Sequence, residues 1–315
     1  MKSRLCAAII LCSLLFLAPA AHSSVLLVSE SSGITPGTFA TLQPLSRVVL
    51  RQRIAQLSPD KLLYRSSVNS IQLQLFNNLH LTALQKQDVH GPDGFLMWTG
   101  AIEGVEGGRA VLVVRDGLVF GSVYLPSSII QIRPVSVMEH PVSSDPRDYI
   151  IREIAYPSGT GEMDRGAGAV SDARRLLELV NLEREADGLQ TLEYSDQLAE
   201  AARRHATDMA NHNYFAHELS DGEQFWQNVF DCGYPVSVVG ENLAAGVSTP
   251  AEAFECLFSS PGHRANIMNS TFTQTGVGDA ENGATAYHYY WAQEFGAAST
   301  NSAQSVRLSA DRAPL

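Results

Sequence analysis

Residues Asn213 to Asn269 read NYFAHELSDGEQFWQNVFDCGYPVSVVGENLAAGVSTPAEAFECLFSSPGHRANIMN. Three side chains able to hold a divalent cation sit in this stretch, each inside a short motif rich in turn residues. They are His217 in Tyr-Phe-Ala-His, Glu241 in Gly-Glu-Asn and His263 in Ser-Pro-Gly-His-Arg. Two imidazoles and a carboxylate suit a metal that keeps open coordination positions. If the fold gathers them, the protein has a polar pocket. If it does not, they are two ordinary histidines and a surface glutamate. A metal-free reading is also open, in which Glu241 hydrogen-bonds a histidine and fixes the loops.

Around this stretch the second half of the chain reads as mixed helix and strand. Ser171 can cap a helix running to about Ala186, with Leu176, Leu177, Val180 and Leu182 near one stripe and Gly188 ending it. A second helix follows Ser195, with Leu198, Ala202, Ala206, Met209 and Ala210 at helical spacing. Its His205 and His212 stand seven apart, share a face without touching, and are assigned to the surface or the core edge. Thr249-Pro250-Ala251-Glu252 is a capping box with proline at the first helical position, opening a helix through Phe258. Strands are expected over Thr273 to Asp279 and Ala284 to Phe295. The second is aromatic-rich and carries His288, a candidate for a cleft wall. Helices flanking a small antiparallel sheet make this an α+β domain.

The first half is strand-like. Ile71-Gln72-Leu73-Gln74-Leu75-Phe76 alternates apolar and polar residues. Ala110 to Val114 and Leu118 to Leu125 are apolar, β-rich runs split by Asp116-Gly117, a hairpin signal. Ile129 to Pro134 closes the series. A small all-β sandwich or roll is expected over residues 25–140. A linker is expected over 141–170, where Pro141, Pro146, Pro157 and two glycine runs fall, with Ile150 to Ile154 as one stray strand. The polar tail 298–315 is expected to be disordered.

The N-terminus reads as a secretory signal over residues 1–21: Lys2 and Arg4, an apolar run Leu5 to Leu17, then Ala18-Pro19-Ala20. No later segment is apolar enough to cross a membrane, so a secreted or extracytoplasmic protein, periplasmic or extracellular, is expected, and not an integral membrane protein. Cys6 and Cys12 leave with the signal. Cys232 and Cys256 remain, and in an oxidising compartment a disulfide is the default expectation. It would close a loop of 24 residues, a constraint that contributes roughly 3 kcal/mol in the chain-entropy model. The net charge of −11 is uneven: residues 171–297 hold six arginines, no lysine and nineteen acidic side chains. Such a field disfavours nucleic acid and sulfated glycans, which need clustered basic residues.

Several ordered motifs resemble the bacterial branch of the CAP superfamily, which holds cysteine-rich secretory proteins, antigen-5 allergens and pathogenesis-related proteins. They are Leu179-Val180-Asn181-Leu182-Glu183-Arg184, Gly240-Glu241-Asn242, Gly262-His263-Arg264-Ala265-Asn266, Gly276-Val277-Gly278 and Tyr290-Trp291-Ala292-Gln293-Glu294-Phe295-Gly296. The resemblance runs from about Ser171 to Ala297 and implies a three-layer α-β-α sandwich. It also implies a cleft with two histidines and two acidic residues, often holding Zn²⁺ or another divalent cation. His217, Glu241 and His263 fall on three of those positions. The fourth falls near Ser259-Ser260, so the set is incomplete, and Glu255, one turn earlier, is a weaker substitute. Asn242, Arg264 and Asn266 are expected to brace the loops. Relatives suggest a lipid, a glycan or a protein as ligand.

A second resemblance is less specific. Leu73 to Phe76, Trp98 to Gly104, Val113 to Gly121 and Ile130 to Pro134 are similar to the propeptide-like domain of secreted bacterial metallopeptidases. No His-Glu-x-x-His occurs in the chain, so no catalytic residue carries over. Two functions are in view. One is a binding module built around the His217/Glu241/His263 cleft. The other is a metal- or serine-dependent hydrolase of peptides or cell-wall material, drawing on Ser259 or Ser260 with His263 and Glu241. No Gly-x-Ser-x-Gly elbow supports the second.

Overall fold

The computed structural model describes residues 48–57, 69–91, 94–138, 145–156, 171–235 and 238–297, and the backbone of 23–26 and 29–30. The expected signal, the segment 157–170 and the tail 298–315 lie outside the described residues.

Ten strands form the first unit: β1 (Ser23–Leu26), β2 (Ser29–Glu30), β3 (Val49–Gln56), β4 (Ser70–Phe76), β5 (Leu79–His90), β6 (Leu96–Ile102), β7 (Arg109–Arg115), β8 (Leu118–Tyr124), β9 (Ser128–Pro134) and β10 (Asp148–Ala155). Their order is β1-β4-β5-β6-β7-β8-β9-β10-β3-β2. From β4 to β10 each strand pairs antiparallel with the next, and β3 pairs antiparallel with β10. β1 lies on one edge and β2 on the other. Leu26 and Ser29 are three peptide units apart, a reach of about 10 Å. The two edges therefore approach each other, and the sheet curls upon itself.

A small sandwich or roll followed by a linker was expected, and the linker is corrected at one strand. The unit is a single curled sheet, and β10, placed in the linker on sequence, lies inside it between β9 and β3. The hairpin at Asp116-Gly117 is as expected: both residues have positive φ, 52° and 75°, the backbone of a two-residue type I′ turn.

Successive side chains on a strand face opposite ways. Ala110, Leu112, Val114, Val119, Val123, Ile130 and Ile132 pack into one core. Their alternates Val111, Val113, Phe120, Tyr124 and Ile129 join a different core, shared with helices of the second unit. Strands β7 to β9 are thus buried on both faces, which is why they read as nearly unbroken apolar runs.

The second unit comprises α1 (Asp172–Ala186), β11 (Glu193–Tyr194), α2 (Asp196–His212), α3 (Phe225–Asp231), β12 (Val238–Ala245), α4 (Pro250–Ser259), α5 (Pro261–Ile267), β13 (Gln274–Glu281) and β14 (Tyr289–Ala297). The sheet order is β11-β13-β14-β12. On one face Ala202, Ala206 and Met209 of α2 meet Leu243, Tyr290 and Ala292. On the other, Leu176, Leu177, Phe254 and Leu257 of α1 and α4 meet Ala244, Val277, Trp291 and Phe295. The result is the α+β helix-sheet-helix sandwich, with the curled sheet packed outside α1 and α4. Thr249 and Glu252 complete the expected capping box and Ser195 Oγ accepts from Leu198 N, whereas Ser171 stands at the N-cap of α1 without a side-chain cap bond.

The expected disulfide is not formed. Cys232 sits with Leu198, Val229 and Tyr234, and its Sγ lies 3.7 Å from Arg204 Nη1. Cys256 belongs to the core between α4 and the curled sheet. The central sheet and its two helix layers put the residues in different compartments.

A buried polar cluster joins the two units. Arg133 of β9 donates to Glu183 of α1 (Nε–Oε2 3.0 Å) and to both oxygens of Glu255 of α4 (3.1 Å each). Gln131 also donates to Glu183 at 2.8 Å, and Ser122 donates to Glu255 at 2.5 Å. Glu255 is thereby committed to the inter-unit contact, away from its suggested role as a cleft ligand. Burial pushes both carboxyls above the usual range against the pull of Arg133.

Candidate functional site

Glu241 is the hub. It stands on β12, the edge strand of the sandwich sheet, with its side chain 1 % exposed. Its Oε1 lies 2.6 Å from His217 Nδ1 and its Oε2 lies 2.5 Å from His205 Nδ1. His217 is more than half exposed, at 58 % of its side chain, and its ring leans on Phe225 at 6.3 Å. His205 is fully buried on α2, and its Nε2 lies 3.0 Å from the Ala216 carbonyl oxygen. A carbonyl only accepts, so Nε2 carries a proton, and the Nδ1–Oε2 contact is a hydrogen bond through a second proton shared with Glu241.

Directly across the ladder from Glu241 stands Glu294 on β14. It too is fully buried, and among the described residues no N–H or O–H from another residue reaches its carboxyl oxygens. Two buried carboxylates facing each other cannot both be ionised at modest cost. Burial and the Glu241 charge hold the Glu294 carboxyl well above the usual carboxylate range, so it keeps its proton and shares it with Glu241. Burial would also raise Glu241, but hydrogen bonds from His205 and His217 outweigh it and hold Glu241 below the usual value. The same bond, donated to Glu241, raises the His217 imidazole.

His263 lies on α5 and is half-buried. Asn242 Nδ2 donates to its backbone carbonyl at 3.1 Å, and Asn266 Nδ2 donates to Glu241 O and to Asn242 Oδ1 at 3.1 and 3.0 Å. Arg184, buried on α1, anchors the end of the same helix through the carbonyls of Ile267 and Asn269. These bonds account for Asn242, Asn266 and Arg184 in their motifs: they lock α5 to the strand that carries Glu241. The structure brings His217 and Glu241 together and places α5 beside them. Among the described residues, the group of three possible ligands whose donor atoms lie within 4.8 Å of one another is His205, Glu241 and Glu294. Neither His217 nor His263 belongs to it.

Two expected cleft residues are placed elsewhere. Arg264 turns toward the curled sheet, donates to the carbonyls of Phe258 and Ser259, and lies over the Phe120 ring at 5.3 Å. His288 is exposed in the turn before β14, with φ 64°, because the strand starts at Tyr289 and not at Ala284. Ser259 is buried, donates to Cys256 O at 2.9 Å and accepts from Arg115 Nε at 3.2 Å. A hydroxyl so engaged at a helix end is a bracing group, which removes it as a nucleophile. His205 and Glu294 were missed from sequence.

Residues 177–295 match the model of the CAP family, described as the cysteine-rich secretory protein family. They form a CAP domain in this chain. Two Bacillus subtilis proteins are similar over part of the chain. One, the uncharacterized protein YkwD, is 35 % identical over 122 residues, covering 39 % of this chain and 46 % of that protein. The other, the uncharacterized membrane protein YlbC, is 28 % identical over 138 residues, covering 44 % and 40 %. The chain thus spans less than half the length of these relatives. Among solved structures, an extracellular SCP-domain protein of Bacillus anthracis aligns with TM-score 0.40 and 18 % identity, over 68 % of this chain and 85 % of that one. An outer surface protein of Borrelia burgdorferi aligns with TM-score 0.38 and 19 % identity, over 43 % and 98 %. The family match does not extend into the curled sheet. Among the described residues, no helix is long and apolar enough to cross a membrane.

Proposed function

We propose that the protein is an exported binding module whose cleft is organised by the His217–Glu241 pair and holds a divalent cation of the zinc class. One observation carries this reading: a half-exposed imidazole has its Nδ1 fixed by a buried carboxylate at 2.6 Å. A carboxylate behind a histidine is the usual outer support of a metal ligand, because it orients the ring and raises its basicity. Both Glu241 oxygens already face imidazole nitrogens, so Glu241 acts as orienter, and His217 Nε2 with His263 would hold the ion. The ion would supply a Lewis-acidic point that orients a ligand's oxygen or nitrogen. The acidic surface disfavours polyanions and leaves lipid, neutral glycan or protein as ligand classes. The curled sheet, similar to propeptide-like domains, is read as an accessory unit.

The test is zinc titration of the full chain beside a His217→Ala/His263→Ala variant, with casein and peptidoglycan assays run in parallel. The binding module predicts loss of a zinc equivalent in the variant and no hydrolysis by either protein. Hydrolysis abolished in the variant would establish the hydrolase instead.

A further inference from the structure

The inner side of the Glu241 cluster has a geometry that the cleft reading leaves unused. His205 Nδ1, a Glu241 oxygen and a Glu294 oxygen converge within 4.8 Å, and none of these side chains is more than 1 % exposed. The Ala216 carbonyl keeps a proton on His205 Nε2, so Nδ1, which shares a second proton with Glu241 Oε2 at 2.5 Å, is the nitrogen that can trade its proton for a metal. Histidine ligands are prepared in this way, with the far nitrogen tied to a backbone carbonyl. Among the described residues the Glu294 oxygens have no N–H or O–H partner from elsewhere, although the residue is fully buried. A buried carboxyl group whose partner is another carboxyl is costly unless something charged meets the pair.

We infer that His205, Glu241 and Glu294 form an inner site for a divalent transition-metal ion of the zinc class, distinct from the cleft site and resting on the proposed reading only in that Glu241 serves both. One neutral imidazole and two carboxylates carry a charge of −2, which a divalent ion cancels. In the metal-free protein, protons do that work: one resides on Glu294, and one lies between His205 Nδ1 and Glu241 Oε2. Loading is therefore an exchange. The ion enters, Nδ1 and two carboxyl oxygens become its ligands, a water completes the tetrahedron, and about two protons leave to solvent. Zinc–ligand bonds of about 2.0–2.1 Å place neighbouring ligands roughly 3 Å apart, so Nδ1 and Oε2 part slightly. Glu241 Oε1 keeps its bond to His217, which sits between the inner site and solvent.

The full chain, stripped with chelator, is titrated with zinc chloride by calorimetry in two buffers of different ionisation enthalpy. Metal retained after gel filtration is counted by mass spectrometry. His217→Ala/His263→Ala is expected to keep one tightly held ion and to release about two protons per ion. Glu294→Gln, which preserves shape, is expected to lose that ion or weaken it at least tenfold while keeping the cleft equivalent. His205→Gln, checked for native circular dichroism, should repeat the loss and guards against a folding defect in the first variant. The inner site is overturned if Glu294→Gln and His205→Gln bind like the unmodified chain, or if the double histidine variant retains no metal. If the double variant binds every equivalent that the unmodified chain binds, the cleft reading fails and the inner site stands.

Discussion

Among single residues, Glu241 and His217 were legible because each lies in a short turn-rich motif where a polar side chain has little structural work. His205 was not, because an imidazole on a helix is ordinarily placed at the surface. The signal was its phase: His205 lies beside Ala202, Ala206 and Met209 on the buried stripe of α2, and a buried polar group needs a partner. Glu294 carried the same signal, since Tyr290, Ala292 and Glu294 share one side of β14. The pair's pH behaviour follows from the shifts. A raised imidazole contributes stability that is complete below its unfolded value of 6.5 and is lost as pH climbs through the folded value. A depressed carboxyl contributes above its unfolded value of 4.5 and loses it as pH falls through the folded value. Both contributions are in force between these two unfolded values. The stability advantage of the unmodified chain over His217→Ala should therefore be largest between about pH 4.5 and 6.5 and shrink above that window. Histidine NMR should show His217 titrating above 6.5, and Glu241→Gln should bring it down. A His217 titration at or below the free value would refute the bond that orients the ring.

At the level of elements, helices announced themselves through caps and stripes, whereas strand ends did not. β14 starts at Tyr289 because Asn282 to His288 forms a turn tied by Asn282 N to His288 O at 2.7 Å, and apolar residues in that turn imitate a strand. The disulfide was misread for a related reason: two cysteines in sequence say nothing about the layer between them. Gly276 and Gly278 on β13 explain how α2 reaches the sheet. A β-carbon at Gly276 would stand 2.0 Å from Ala199 N, and one at Gly278 would stand 2.2 Å from Arg203 N. These are contacts with helix backbone, which cannot rotate away. The glycines let α2 lie on the strand, and that approach sets His205 against Glu241. Gly278→Ala should cost about 3 kcal/mol, at the upper end of overpacking penalties, seen as a lowered denaturant midpoint. It should also weaken the shared His205–Glu241 proton, seen as loss of its slowly exchanging NMR signal. An unchanged midpoint would mean that the helix can stand off the sheet without consequence.

For the whole molecule, the decisive clue was that β7, β8 and β9 lack polar alternation. A free-standing curled sheet would show water a polar outer face; this one shows Val111, Val113, Phe120 and Ile129 to α1 and α4 instead. Arg133 and its two carboxylate partners sit in that seam, with side chains at most 3 % exposed. Their partnership was not legible, because Arg133, Glu183 and Glu255 are scattered over 122 positions and only the packed fold unites them. Removing the cation strands two buried carboxylates, at a cost of about 3–5 kcal/mol. A sheet unit meant for easy release would not be latched so deeply. If a protease site is placed within residues 157–170 and cut, the two fragments should co-elute in gel filtration as one body. Arg133→Ala should let them separate. The raised carboxyls add a sign: stability from them is complete below about pH 4.5 and declines as pH rises through their folded values. The cut variant should hence dissociate more readily at alkaline pH than at mildly acidic pH. Fragments of the unmodified sequence that part at once after cleavage would show that the seam does not hold the sheet, and would return it to the role of a removable propeptide.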